Sequence, residues 1–424
     1  MSAISNNFKK TITSSGVTFL FRIFGLFCSF LTTLLITKWF GIADYGNYSL
    51  VFTIAQASAL IFTLGIPNTL IQIIGNHGFN YHKAKNLLIK GLKITLFISI
   101  IPVFIFYFAS DFLAKNIFHN QLLVNYFFIV SLTLPLFIVH EILIYFFIAT
   151  KNFKKYNMFM YVIPNILLLI FLSLFFYFNL SGYFTFSAFA LAIFITVSIE
   201  TYIIFGLKKT TEIISFTPIS LLKTASPLMF SGLLLYLLNW TDVIILGIML
   251  DDKQVGIYNI AFKIGSVGFL VIVSVSTIIT PKIAELYGDN KFEELKKLIH
   301  NSTRFIAVLS IPIVIVIILL RNYILSFFGS EALLGSTTLV IVSLGVLFSA
   351  IIGNADQILN MTNNQKILRN ITIICFFINV ILNIILIPHY GIEGSAYASL
   401  VTNIILNLLC LYYIKIKLGF YTLV

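Results

Sequence analysis

Leu122 to Ala149 reads LLVNYFFIVSLTLPLFIVHEILIYFFIA, twenty-eight residues of which only His140 and Glu141 readily ionise. A half-buried strand would alternate apolar and polar positions, and this stretch is apolar on every side. A helix rising about 1.5 Å per residue crosses the roughly 30 Å hydrocarbon layer of a bilayer in about 20 residues. The stretch therefore reads as a membrane-spanning helix, too long and too continuously apolar for a barrel strand. Comparable runs recur at Gly16–Thr37, Tyr48–Ile71, Ile94–Ala109, Met158–Phe178 and Phe184–Phe205, and again at Ala225–Leu250, Gly256–Ile279, Phe305–Leu320, Ser336–Leu359, Ile371–Ile387 and Gly394–Ile414. The expectation is an all-α polytopic protein with about twelve spans. Composition agrees: 59% of the 424 residues are hydrophobic and 10% charged, against roughly half and a quarter in a soluble domain.

A net charge of +12 is common in nucleic-acid binders, but its distribution along this chain argues for membrane orientation instead. With the amino terminus inside, only Lys38, Lys115, Lys253 and Arg321 fall in outer connections, while twenty-one of the 27 Lys and Arg fall on the inner side. Arg22 and Lys263 lie within spans. Both termini are expected to be cytoplasmic. Cys28, Cys375 and Cys410 sit in apolar runs without paired spacing, so neither disulfides nor a metal is expected. The first run is too long for the core of a cleaved signal. No glycine loop that would cradle a nucleotide phosphate appears, so no cofactor is expected and ATP is not the direct energy source.

The chain also matches itself. Gly46 and Gly256 each open a Gly-x-Tyr, 210 residues apart; Pro67 and Pro281 are 214 apart; the Ala149-Thr150 and Met361-Thr362 segments are 212 apart; Ser187-Ala188 and Ser395-Ala396 are 208 apart. Four matches in order at a nearly constant offset indicate a parallel repeat of six-helix lobes, residues 1–210 and 211–424, joined by the basic linker Gly206–Lys223. Asn290–Ile299, with Asn290 as cap and Glu293 three residues on, is expected to form an amphipathic helix, either lying against the membrane surface or serving only to connect two spans.

Asn379 to Ala396 reads NVILNIILIPHYGIEGSA. The segment resembles the NxxLNxxLIPxxGIxGAA signature of polysaccharide-unit exporters, with Ser395 in place of the first alanine, a change small enough to keep close packing. Gly41–Tyr48 (GIADYGNY) resembles their LGxxxYGxY element, and Val255–Ala261 their VGIYxxA element. The resemblance covers the whole chain and implies the MATE-like exporter fold of the Wzx-type flippases, relatives of the multidrug extruders and the lipid II flippases. It also implies a substrate, an undecaprenyl diphosphate-linked oligosaccharide moved to the outer leaflet for polysaccharide such as O-antigen. The implied setting is the bacterial inner membrane, with a glycan polymerase as an expected partner. A multidrug extruder is the alternative. Twelve spans argue against the lipid II branch, where fourteen are expected.

Ionisable side chains inside spans cost about 2.5–3.5 kcal/mol each on insertion scales and so mark candidate sites. They are Arg22, His140, Glu141, Glu200, Asp242, Lys263 and Asp356. Glu200 and Asp356 lie near inner helix ends, from which they could snorkel to water. Arg22 and Lys263, one in each half, suit the two negative charges of a lipid diphosphate, though a structural role is the other reading of a buried Arg. Asn379 and Asn383, four apart on one helix face, as are Asn403 and Asn407, either line a glycan cavity or bond helix to helix. His140 with Glu141 is a candidate proton relay, and H+ or Na+ a candidate coupling ion. Asp242 and Lys263 lie ten residues before and eleven after Asp252; the equal spacing predicts that they pair as a gate. An enzyme such as a glycan polymerase would need a large outer loop, and these are short.

Overall fold

The computed structural model describes residues 2–206 and 218–423. Its contacts divide into two compact units, Met1–Tyr236 and Leu237–Val424. The expected lobe boundary at 210 lies outside the described residues, as does most of the expected linker.

In the first unit α1 (Ser2–Trp39) is followed, across Gly41 in a positive-φ conformation, by α2 (Ile42–Phe62) and α3 (Ile66–His77). These two form one broken span, bent by 44°. The break has a local cause. Gly65 holds φ +74, a conformation that disfavours a side chain, and a Cβ placed there would collide with the Ala225 carbonyl and come within 2.8 Å of the Met229 nitrogen. Pro67, at the start of α3, then restarts the helix where a missing N–H matters least. α4 (Tyr81–Ile98), capped by the Asn80 side chain accepting from Lys83 N at 2.9 Å, continues through α5 (Ile100–Phe108). After α6 (Ser110–Phe112) and a π-turn, α7 (Leu123–Ala149) runs through the unit with much of its length buried. α8 (Phe153–Asn157), a second π-turn and α9 (Ile163–Tyr177) make the fifth span, and α10 (Phe184–Phe205) coincides with the expected sixth.

α11 (Pro218–Met249) runs across the division between units. In the second unit α12 (Asp252–Gly265), capped by Asp251 on Gln254 N at 2.7 Å, and α13 (Phe269–Gly288) share the eighth expected span, so here too the second span of the half is broken. The break is satisfied by neighbours within the unit: Ser343 Oγ donates to Gly265 O and Ser310 Oγ to Gly268 O, both at 3.4 Å. α14 (Phe292–Leu319), α15 (Arg321–Ser326), α16 (Ser336–Ile352), α17 (Ala355–Met361) and α18 (Gln365–Leu418) complete the chain.

α18, 54 residues long, is not one straight helix. Gly391 has φ 56 and ψ −133, and Ser395 Oγ lies 2.7 Å from Asn383 Oδ1, whereas twelve residues of straight helix would separate them by about 18 Å. The element is two helices folded back on each other, the expected eleventh and twelfth spans.

Among the described residues, nine helices pass a length and hydropathy test for spanning, or ten when the bent α2–α3 pair counts as one. The fold-back at Gly391 puts two expected spans in one element, and α11, the expected seventh span, is counted only over Trp240–Met249 because much of the rest of it lies outside the residues whose side chains are described.

Asn290–Ile299 differs from expectation. Asn290 takes a positive φ of 59 after α13 and does not cap, and the segment forms the opening turns of the continuous α14. Leu295 and Ile299 are buried in the unit's own core, which explains the amphipathic spacing without a surface helix.

Candidate functional site

Asp242 projects from α11 into the second unit, where it is 3% exposed. Its Oδ2 accepts from Tyr258 OH at 2.9 Å and from the Ser399 hydroxyl, and its Oδ1 accepts from Asn383 Nδ2 at 3.0 Å. Asn383 Nδ2 also approaches Asn379 O at 2.9 Å and Asn379 Oδ1 at 3.1 Å, and its own Oδ1 accepts from Ser395 Oγ. One carboxylate thus gathers α11, α12 and both arms of α18. An ionised carboxylate is acceptor-only, so three converging O–H and N–H donors suit it as an anion. The cluster's oxygens, carboxylate, amide and hydroxyl, are hard donors of the kind that hold a proton or a small hard cation, and a thiolate or imidazole set is not among them.

The expected Asp242–Lys263 gate is not formed: among the described residues no ion pair joins them, and Asp242 is occupied by Tyr258, Asn383 and Ser399. Equal spacing from a turn sets equal depth, but not the side of the helix from which a side chain leaves. Lys263 lies instead in the last turn of α12, partly buried, where the helix dipole favours a cation. Asn379 and Asn383 are 1% and 0% exposed, set against Asp242 and bonded between helices. Ser395, expected only to preserve packing, donates a hydrogen bond in this network. Tyr258 and Ser399 were not singled out from sequence; Ser399 lies one turn from Ser395 on the same face, the spacing that would have flagged it.

In the first unit His140 of α7 meets Glu200 of α10, Nδ1 to Oε2 at 3.1 Å. Glu200 was expected to snorkel to water and is wholly buried, with its Oε1 lacking a hydrogen-bond partner among the described residues. Glu141, buried beside them, is not the bonded partner of His140: adjacent residues on a helix do not face each other. The missed signal was depth. His140 lies seventeen residues from the start of α7 and Glu200 sixteen from the start of α10. Arg22, in α1, is partly buried and within electrostatic range of Tyr156.

The two units carry polar couples at matching positions. Thr33 Oγ1 contacts Tyr45 OH at 3.3 Å between the first and second spans of unit 1, and Asp242 contacts Tyr258 at offsets of 209 and 213. His140 contacts Glu200 between the fourth and sixth spans, and Asn407 Nδ2 reaches Ser349 Oγ at 3.3 Å at offsets of 209 and 207. Each unit places its ionisable couple where the other places a neutral one.

The fold is that of a multi-pass helical membrane protein, with carboxylates buried where its helices meet. Solved structures agree on the fold: a lipid II flippase, MurJ, in an inward closed conformation is similar with a TM-score of 0.78 at 20% identity, covering 95% of this chain and 87% of that one. An inward-facing multidrug resistance MATE family transporter of the MOP superfamily is similar with a TM-score of 0.79 at 14% identity, covering 92% and 94%. The chain belongs to the polysaccharide biosynthesis protein family, whose model matches residues 11–287; the MatE model matches residues 227–385. A relative from Haloferax volcanii, a probable low-salt glycan biosynthesis flippase named Agl15, is 30% identical over 181 residues. The matched stretch is 42% of this chain and 38% of that protein, so it spans well under half the relative's length.

Proposed function

We propose that this protein is a flippase, not an enzyme, which moves an undecaprenyl diphosphate-linked oligosaccharide from the cytoplasmic to the outer leaflet of a bacterial inner membrane for surface polysaccharide synthesis. The observation that carries this reading is the match of the polysaccharide biosynthesis family over residues 11–287. In the reading, Arg22 and Lys263 engage the diphosphate, and the buried Asp242 and His140–Glu200 couples are the coupling elements for H+ or Na+. Deletion of the gene is expected to trap lipid-linked oligosaccharide on the cytoplasmic side, seen by mass spectrometry of extracted lipids. The MatE match over residues 227–385 favours an extruder as the second reading; sensitivity of the deletion strain to cationic dyes, with no change in lipid-linked glycan, would establish it.

Both termini and the 206–223 linker are cytoplasmic in this reading. Single cysteines at Lys9, Lys209 and Lys415 in a cysteine-free version are expected to resist an impermeant thiol reagent added to intact cells. Ready labelling at any one overturns the orientation.

A further inference from the structure

The second unit holds a cavity of about 400 Å³ between α13 and α17, apart from the Asp242 cluster. That volume falls within the roughly 300–1,000 Å³ typical of small-molecule sites. Its polar floor is built by a backbone device. Gly353, at φ 81 and ψ −151, ends α16 and sets Asn354 at the start of α17, where the Asn354 carbonyl accepts from Ile358 N at 3.0 Å. Asn354 lines the cavity at 3% exposure, and its buried side-chain Nδ2 has no hydrogen-bond partner among the described residues. A buried, unpaired amide donor is expensive enough to call for an explanation. Beside it, Asp356 lines the same cavity, its Oδ2 accepting from Gln357 Nε2 at 2.9 Å. Across from them Thr280 Oγ1 donates to Ser276 O at 2.7 Å and lies 3.5 Å from Ser276 Oγ, which leaves it one lone pair to accept from a ligand. The remaining wall is apolar, with Ile272 and the half-exposed ring of Phe269.

We infer that this cavity is a sugar subsite, taking one residue of the transported oligosaccharide with Asn354 donating to an oxygen or acylamino carbonyl of the sugar and Asp356 accepting from its hydroxyls. This rests on the flippase reading above and deepens it. The chemistry discriminates among occupants. A lipid tail has no use for a buried donor and a carboxylate, a diphosphate is repelled by Asp356, and a cationic drug leaves Asn354 unanswered. A pyranose offers hydroxyl donors, oxygen acceptors and a C–H face for Phe269. In the proposed orientation the inner ends of α13 and α16 face the cytoplasm, which places the subsite where a headgroup is loaded.

The test uses the full chain in nanodiscs, with Cys28, Cys375 and Cys410 replaced and Gln357→Cys introduced. The probes are lipid-linked oligosaccharide extracted from the source organism and undecaprenyl diphosphate alone. The oligosaccharide lipid is expected to slow labelling of the new cysteine by a thiol reagent at least about fivefold, and the bare lipid is not. In the otherwise native protein, Asn354→Ala and Asp356→Asn are each expected to lower retention of the oligosaccharide lipid by about tenfold, leaving the bare lipid unchanged. If the oligosaccharide lipid is retained while the cysteine labels at its free rate, the subsite is refuted and the flippase reading stands. If neither lipid is retained by the native protein, both fall. Protection by ethidium and not by the oligosaccharide lipid overturns the inference in favour of the extruder.

Discussion

Asp242→Asn is expected to reduce glycan export by at least about tenfold while the protein remains inserted and abundant, measured as surface polysaccharide against immunoblotted protein. The change keeps the size of the side chain and replaces one acceptor oxygen by an amide. That amide would have to face Asn383 Nδ2, which already donates, or the Tyr258 and Ser399 hydroxyls. The network can reorient hydroxyls but cannot recover an anion, so both charge and hydrogen-bond direction are lost. Asp242→Ala goes further, stranding three donors at about 1–3 kcal/mol each, and is expected to lower the amount of folded protein as well. A double-mutant cycle of Asp242→Asn with Ser399→Ala is expected to show coupling above about 0.5 kcal/mol, because the two side chains share a bond. Wild-type export from a well-expressed Asp242→Asn protein would remove Asp242 from the coupling machinery.

The second large effect is expected at the two cations. Arg22→Ala and Lys263→Ala should each cut export about tenfold or more, with the double mutant at background and both proteins still in the membrane. Arg22→Lys should retain part of the activity, since the charge survives and only the planar fork is lost. A structural role would show itself differently. Lys263 sits in the last turn of α12, beside the break before α13, so a purely helix-stabilising cation would be replaceable by Arg or by a neutral residue with loss of protein and not of turnover. Export per molecule of protein, and not total export, is therefore the quantity to compare. Normal surface glycan from an abundant Arg22→Ala, Lys263→Ala protein would return both residues to the structural reading.

Much of this was legible in the chain. Bilayer thickness and backbone hydrogen bonding leave a long apolar run one conformation, so helices such as Phe184–Phe205 emerge from hydropathy alone, residue for residue. The two spans expected at Ile371–Ile387 and Gly394–Ile414 left room for the turn that the structure places at Gly391. The cost of burying charge singled out His140, Glu141, Asp242 and Glu200 as exceptional.

Partner choice was decided only in three dimensions. Spacing from a turn or a helix start reports depth, which is why His140 and Glu200 could have been matched and why Asp242 and Lys263 were matched wrongly. Which side of its helix a residue leaves depends on rotations of about 100° per residue, summed over the bends at Gly65, Ser266–Gly268 and Gly391, and small errors in placing those bends turn a neighbour away. The same breaks decide the amphipathic opening of α14, whose Leu295 and Ile299 found a protein core where the pattern alone suited a membrane surface equally well. The sequence by itself determined that this chain crosses the membrane many times as helices, because the bilayer penalises every alternative. Tertiary structure alone decided that Asp242 answers to Tyr258, Asn383 and Ser399, because hydrogen-bond partners are chosen by direction at a distance of about 3 Å, a precision that no periodicity carries.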